Sequence, residues 1–154
     1  MPSLKDQLQA DLTAAIRAQD DVVRSTLRMA LTAIARAEVA GKTHTTLTDD
    51  QVLGLLRSEI NKRAEAADIF AAAGRNELAA RERAEAKVLV SYLPAELSDE
   101  ALAAIVTEEV SRAQQEGVTG GRAMGSVIKA VRGRVGQQAS GGRIAQAVKA
   151  ALSS

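Results

Sequence analysis

The apolar residues of this 154-residue chain recur at every third or fourth position in segment after segment, and no stretch alternates apolar and polar residues with a period of two. An interval of three or four places side chains on one face of an α-helix, whereas a half-buried β-strand needs the period of two. The first segment is typical, with apolar residues at Leu4, Leu8, Leu12 and Ile16. The spacing therefore predicts an all-α protein without a sheet.

Residues that favour helix ends divide the chain into seven predicted helices. Ser3 and Thr48 each begin a sequence typical of a capping box, in which two side chains satisfy free backbone N–H groups of the first turn. Three further polar residues are candidate N-caps of later helices: Asp20, Asn76 and Ser98. The glycines expected at the ends of the second, third and fifth helices are Gly41, Gly74 and Gly117.

Pro94 is the strongest boundary in the sequence. Its ring cannot be accommodated inside a helix, and it also disfavours the helical conformation in the residue before it. We therefore predict an N-terminal four-helix domain over residues 1–94 and a small C-terminal three-helix domain over residues 95–154. In the second domain the sixth helix, a glycine-rich loop and the last helix are predicted at 123–132, 133–142 and 143–152. A unit of this size has a small core, so we expect it to be stabilised by packing against a neighbouring domain or a partner.

The composition excludes several classes of functional site. The chain has no cysteine, which rules out disulfides, iron–sulfur clusters and thiolate zinc sites. Its single histidine, His44, is expected to be solvated in a threonine-rich loop, so a serine–histidine–aspartate site has no support. Phe70 and Tyr92 are the only aromatic residues, too few to stack on single-stranded nucleic acid. The adjacent Glu108 and Glu109 are expected to be solvated on a helix. We predict no catalytic, cofactor or metal site.

No apolar stretch approaches the length needed to cross a membrane. The first residues include Lys5, Asp6 and Asp11 and lack the apolar centre of a signal peptide. A cytoplasmic location without a membrane partner is therefore the default expectation.

Charge is distributed unevenly along the chain. The first 116 residues contain 14 basic and 19 acidic side chains, whereas no Asp or Glu follows Glu116. The closing segment carries six basic residues, which are the candidate RNA-binding residues: Arg122, Lys129, Arg132, Arg134, Arg143 and Lys149. Cations without counter-charge are able to bind the phosphates of a nucleic acid in a salt-dependent manner. The alternative is that carboxylates of the earlier helices neutralise them, and the charge pattern alone leaves both possibilities open.

Two glycine pairs accompany these cations. Gly120–Gly121 and Gly141–Gly142 each precede a predicted helix, whose N-terminal N–H groups favour anions. Neither pair belongs to a nucleotide-binding loop of the Gly-Lys-Ser/Thr type. Contacts to an RNA backbone, beside Arg122 and Arg143, are one interpretation, and glycines that simply allow turns are the other.

Several blocks of the sequence together resemble the GatB/YqeY family, in the same order and over nearly the entire chain. The blocks are Leu27-Arg28-Met29 with Ala33-Ile34 and Glu38, Glu59-Ile60-Asn61-Lys62-Arg63, Phe70 to Leu78, Glu85 with Leu89 and Tyr92-Leu93-Pro94, Leu97 to Glu100, Met124-Gly125 with Val127-Ile128-Lys129, and Val148-Lys149. The resemblance implies an all-helical fold with an N-terminal helical domain and a small C-terminal three-helix domain.

This family is similar to the tail of the GatB subunit of the aspartyl/glutamyl-tRNA amidotransferase, which converts mischarged tRNA to its amide form. In that enzyme the tail helps to hold tRNA, while ATP-dependent activation takes place in another domain. The resemblance therefore implies a tRNA-binding or amidotransferase-associated module, with tRNA, an amidotransferase or a tRNA-synthetase component as its partner. The resemblance also implies carbon–nitrogen ligase activity with glutamine as the amido donor. This chain lacks the residues to carry out that reaction on its own.

One segment departs from the family pattern. Where family members commonly carry an arginine and an acidic cap before the last helix, this chain has Gln138 and Ser140. Ser140 is still able to cap that helix, and Arg134 or Arg143 is a candidate replacement for the missing arginine.

The alternative function is a protein–protein adaptor that does not bind nucleic acid. In that case exposed apolar residues of the C-terminal helices, such as Met124 and Val131, would form the docking patch. An enzyme that works alone is the least favoured hypothesis, because a base, a nucleophile pair and a cofactor motif are missing from the sequence.

Overall fold

The computed structural model describes residues 2–153, and in that range it contains seven α-helices, one 3₁₀ turn and no β-strand. The helices are α1 (Leu4–Ala18), α2 (Asp21–Glu38), α3 (Asp49–Ala72), α4 (Asn76–Val90), α5 (Asp99–Gln115), α6 (Gly121–Val135) and α7 (Gly141–Ser153), and the 3₁₀ turn is Gly136–Gln138. The all-α prediction is confirmed. Among the described residues, no helix combines the length and the apolar character that a bilayer span requires.

The helix starts follow the predicted caps with one exception. The caps that form as expected are Ser3, Asp20, Thr48 and Ser98. The hydroxyl of Ser98, for example, accepts a hydrogen bond from the N–H of Ala101 at 3.1 Å. The prediction for Asn76 is wrong, because Asn76 is itself the first residue of α4 and the residue before it, Arg75, makes no side-chain cap bond.

The helix ends agree less closely with the sequence. Gly74 and Gly117 follow α3 and α5 at a distance of two residues, and each has a φ of 76°, which glycine adopts without strain. α2, however, ends at Glu38, before the predicted Gly41.

The last two helices are longer than predicted. α6 continues through Gly133 to Val135, and α7 already begins at Gly141, so the predicted loop over 133–142 is wrong at both ends. A glycine inside a helix costs about 1 kcal/mol. Burying the Val135 side chain, which is 3% exposed, contributes about 1.5–3 kcal/mol, so the additional turn is favourable. Gly136, with a φ of 54°, then ends the helix.

The chain divides into two compact units, Met1–Leu93 and Pro94–Ser154. Helices α1–α4 belong to the first unit and α5–α7 to the second. Independent folding of two domains on either side of Pro94 stays a prediction, for which limited proteolysis is the direct test.

Each unit has its own apolar core. The buried core of the first unit consists of Leu8, Leu27, Ala30, Ile34, Val52, Leu56 and Leu89. The buried core of the second consists of Leu102, Val106, Ala113, Val127, Val131, Val135, Ala139, Ile144 and Val148. Within each helix these positions are mostly three or four residues apart, or a multiple of those intervals, which is the helical spacing read from the sequence.

A buried carboxylate supplements the core of the first unit. Glu38, at the end of α2, is 3% exposed and accepts hydrogen bonds from the Lys5 ammonium at 2.6 Å and from the N–H of Leu47 at 3.1 Å. These bonds, the one from Lys5 first, hold the pKa of the Glu38 carboxyl below its ordinary value. Glu38 thereby joins α1 and the loop before α3 to the end of α2.

A buried arginine joins α3 to α4. Arg63 is 4% exposed, and its Nη1 donates to the carboxylate of Glu59 at 2.9 Å, while its Nε donates to the carboxylate of Glu85 at 3.3 Å. Glu85 also accepts a hydrogen bond from Nε of Arg81 at 3.0 Å. Two carboxylates therefore share one central cation between the helices.

Candidate nucleic-acid interface

All six candidate RNA-binding residues lie in the second unit. Those on α6 are Arg122, Lys129, Arg132 and Arg134, and those on α7 are Arg143 and Lys149. The six separate into two groups according to whether a carboxylate of the same unit neutralises them.

Arg134 belongs to the neutralised group. Its Nη1 donates to Glu108 at 2.7 Å and to Glu109 at 3.2 Å. These hydrogen bonds, the one to Glu108 first, raise the pKa of the Arg134 guanidinium above its ordinary value. Glu109 is 3% exposed, so the prediction that it is solvated is wrong. With two carboxylates already bound, Arg134 is a poor candidate for a phosphate contact.

Arg143 is the second neutralised cation. Its Nη2 donates to the carbonyl of Leu97 at 2.9 Å and to the carboxylate of Asp99 at 2.8 Å. Its backbone N–H in turn donates to the hydroxyl of Ser140 at 3.2 Å, which is the cap expected from the sequence. Arg143 therefore fastens the start of α7 to the start of α5.

The other four cations are exposed, and none of them has an ion pair with another residue in the range 2–153. They are Arg122, Lys129, Arg132 and Lys149. Helix geometry explains why three of these cations lie together on α6. At 100° per residue, Arg122, Lys129 and Arg132 fall within a sector of about 80°, whereas Arg134 lies about 140° round the axis from Lys129.

The face defined by Arg122, Lys129 and Arg132, which we call the α6 cationic face, extends about 15 Å along the helix at a rise of 1.5 Å per residue. No acidic residue occurs anywhere on α6. The α6 cationic face therefore carries positive charge that its own helix does not offset.

The side chain of Arg132 extends this positive region to the beginning of α7. Its Nη2 lies 2.9 Å from the point that a Cβ atom on Gly141 would occupy, so the glycine leaves the space that the guanidinium uses. The N-terminal end of a helix also carries a partial positive charge. Arg132 therefore reinforces a potential that already favours anions. Lys149 lies further along α7, near its C-terminal end.

The second unit as a whole is close to neutral, with seven basic and six acidic side chains. The sequence left open whether carboxylates of earlier helices neutralise the closing cations, and this is so for two of the six. The carboxylates that neutralise these two arginines, with N···O distances of 3.2 Å or less, are Asp99, Glu108 and Glu109, all on α5.

The charge pattern of the sequence did not reveal these carboxylate partners, although one of them left a signal. Glu109 lies three residues after Val106 and four before Ala113, both buried on α5. That spacing places Glu109 on the apolar face, where an unpaired carboxylate would be unfavourable. The spacing of α5 alone thus indicated that Glu109 needs a cationic partner. Asp99 left no comparable signal, since it is an exposed residue of the first turn.

The two residues named for the docking patch of a protein–protein adaptor are not exposed in the second unit. Val131 is completely buried and Met124 packs against the core of the second unit. His44 is exposed in the loop between α2 and α3, as predicted. No group of three or more His, Cys, Asp or Glu side chains within residues 2–153 is arranged to hold a metal ion.

The fold and the site define an all-helical protein of two compact units, with a cationic helix face on the second. Comparison with protein families then assigns it more closely. A family model described as Yqey-like protein matches residues 5–152, and the chain belongs to this family. The YqeY part of the sequence resemblance is thereby confirmed. A search of curated proteins finds no match.

Proposed function

We propose that the protein is a tRNA-binding module that associates with the machinery of tRNA amidation. The observation that carries the proposal is the α6 cationic face, whose three side chains are exposed and make no ion pair with the rest of residues 2–153. Its dimensions allow contact with several phosphates of one nucleic-acid backbone. The resemblance to the tail of the amidotransferase GatB subunit, which helps to hold tRNA, favours tRNA over other polyanions.

Recognition in this proposal is electrostatic and directed at the RNA backbone. Residues 94–154 contain no aromatic side chain, so the second unit has no ring on which an unpaired base could stack. Folded RNA is commonly bound through its phosphates and shape rather than through base edges. Arg122, Lys129, Arg132 and Lys149 supply the cations, whereas Arg134 and Arg143 hold the unit together.

A titration of tRNA at two salt concentrations tests this proposal. If four phosphates are contacted, affinity should fall roughly a hundredfold between about 50 and 200 mM salt, because bound counterions are released from the RNA. The double variant Lys129→Glu/Arg132→Glu should weaken binding and flatten the dependence on salt. Absence of binding at low salt would end the proposal.

A matched control separates the α6 cationic face from general charge. Arg28→Glu/Lys42→Glu makes the same change in net charge, on two exposed residues of the first unit that have no ion pair within the described range. We expect this control to bind tRNA nearly as tightly as the parent protein. Equal losses of tRNA affinity in the two double variants would show that the α6 cationic face has no special role in binding.

Association with an amidotransferase rests on the family resemblance and has its own test. The protein, immobilised, should retain the GatB subunit of a tRNA amidotransferase in the presence of tRNA and release it after nuclease treatment. Retention that is insensitive to nuclease would favour the adaptor function instead. Glutamine-dependent amide transfer by the purified chain would contradict a role limited to binding.

A further inference from the structure

Met29 of α2 connects the surface of the first unit to its buried arginine. The residue is 51% exposed, yet its sulfur lies 3.6 Å from Nη2 of Arg63, which is 4% exposed. Every other donor atom of that guanidinium bonds to oxygen: Nε to Glu85, and Nη1 to both the carbonyl and the carboxylate of Glu59. Within residues 2–153, Nη2 has the thioether as its acceptor, and a thioether is a weak one.

We propose that Met29 is a site of reversible oxidation to methionine sulfoxide and that Arg63 accommodates the product. Hydrogen peroxide is the simplest oxidant of the required class. Its O–O bond breaks as one oxygen atom forms a bond to the Met29 sulfur. The sulfur is oxidised by two electrons, and the remaining oxygen and both hydrogens leave as water. Methionine sulfoxide reductases reverse the change.

The surroundings of Met29 favour the sulfoxide, in contrast to the usual effect of this modification. Sulfoxides disrupt apolar contacts because they bring a polar oxygen into them. At Met29 that oxygen would lie next to a guanidinium donor, and hydrogen bonds from charged donors are about twice as strong as neutral ones. Oxidation would therefore replace a weak contact between α2 and α3 with a strong hydrogen bond. Met124 offers the opposite surroundings, since it packs against the apolar core of the second unit.

The first experiment treats the full-length protein with graded hydrogen peroxide and locates the sulfoxide by peptide mass spectrometry. We expect Met29 to be oxidised several-fold faster than Met124. In a Met124→Leu background, urea unfolding of the oxidised protein, followed by the fluorescence of Tyr92 in the first unit, should have an unchanged or higher midpoint. A lower urea midpoint after oxidation, or oxidation of Met29 no faster than that of Met124, would overturn the proposal.

The second experiment needs no oxidant. Met29→Gln places an amide oxygen where the sulfoxide oxygen would be, whereas Met29→Leu removes the acceptor, and glutamine and leucine have similar helix propensities. The glutamine variant should unfold at a higher urea concentration than the leucine variant. Ile69→Gln and Ile69→Leu provide the control pair, at a residue of α3 that is 68% exposed. The difference in urea midpoint between the glutamine and leucine variants should be larger at position 29 than at position 69. If it is not, Arg63 does not stabilise an oxygen acceptor at position 29 and the proposal fails.

Discussion

Replacing Arg63 with leucine should destabilise the first unit more than any change to its exposed charges. Removing one partner of a buried ion pair costs about 3–5 kcal/mol, because the other charge stays buried without compensation. Glu59 and Glu85 keep weaker partners, Lys62 at 3.6 Å and Arg81 at 3.0 Å, whose side chains are 69% and 45% exposed. Water screens these remaining pairs, so we expect a loss near the low end, about 3 kcal/mol.

The first unit provides its own reporter for this measurement. Tyr92 is the only tyrosine in the chain and lies in the first unit, and there is no tryptophan. Burial, together with the hydrogen bond that the Tyr92 hydroxyl donates to Asp11 at 2.5 Å, raises the pKa of the tyrosine, which therefore stays neutral in ordinary buffers. Urea unfolding followed by tyrosine fluorescence thus reports on this unit alone. A loss of about 3 kcal/mol corresponds to a melting temperature lower by roughly 12–24 °C for a unit of this size.

Two further variants test whether the buried guanidinium of Arg63 is the centre of this network. Arg81→Leu removes a cation from the same Glu85, but an exposed one, and should cost at most about 1 kcal/mol. Arg63→Leu/Glu85→Leu removes both buried partners and should recover part of the loss, since a buried pair often contributes little net stability compared with apolar residues. If Arg63→Leu costs no more than Arg81→Leu, the buried guanidinium is not the centre of this network.

Three other expectations follow from the same structure. Because the pKa of Glu38 is lowered in the folded state, its contribution is complete above the ordinary value of 4.5 and is lost as the pH falls through the folded value. The difference in unfolding free energy between the parent and Glu38→Gln should therefore shrink as the pH is lowered from about 6 to below 4.5. Ile144→Ala, at a residue that is 1% exposed, should cost about 2–5 kcal/mol and unfold much of the small second unit, seen as lost helical circular dichroism with unchanged Tyr92 fluorescence. Gly133→Ala should stabilise α6 by about 0.5–1 kcal/mol, measured as a higher urea midpoint in circular dichroism, because a Cβ atom there would meet nothing within 4 Å.

The periodicity of apolar residues was sufficient to predict the helices, and the capping residues predicted most of their starts. Capping is a local effect, in which Ser98 and the N–H of Ala101 are three residues apart, so the sequence itself contains the information. The end of α6 depends on two opposing effects, the cost of placing Gly133 within a helix and the stabilisation gained by burying Val135. Burial is a property of the folded unit, and a rule based on glycine alone therefore ended the helix too early.

The neutralisation of individual cations could not be predicted in the same way. Arg134 is bound by Glu108 and Glu109, which lie 26 and 25 residues earlier, and Arg143 is bound by Asp99, 44 residues earlier. None of these three separations is the short interval of three or four residues found within one helix, because each pair is brought together by packing of different helices. Counting charges along the sequence therefore overstates the cationic surface by two residues.

The position of Arg134 around the axis of α6 explains why it meets the carboxylates of α5 while the other cations of that helix do not. Arg134 points towards α5 because it is about 140° round the axis of α6 from Lys129, and α5 buries Glu109 at the position that meets it. The α6 cationic face points elsewhere and receives no carboxylate within the described residues. α6 thus has an arginine bound to carboxylates on one side and three cations without an ion pair on another. Its unpaired positive charge therefore faces one direction only. In the function proposed above, the orientation of α6, rather than the net charge of a nearly neutral unit, determines which surface would meet a polyanion.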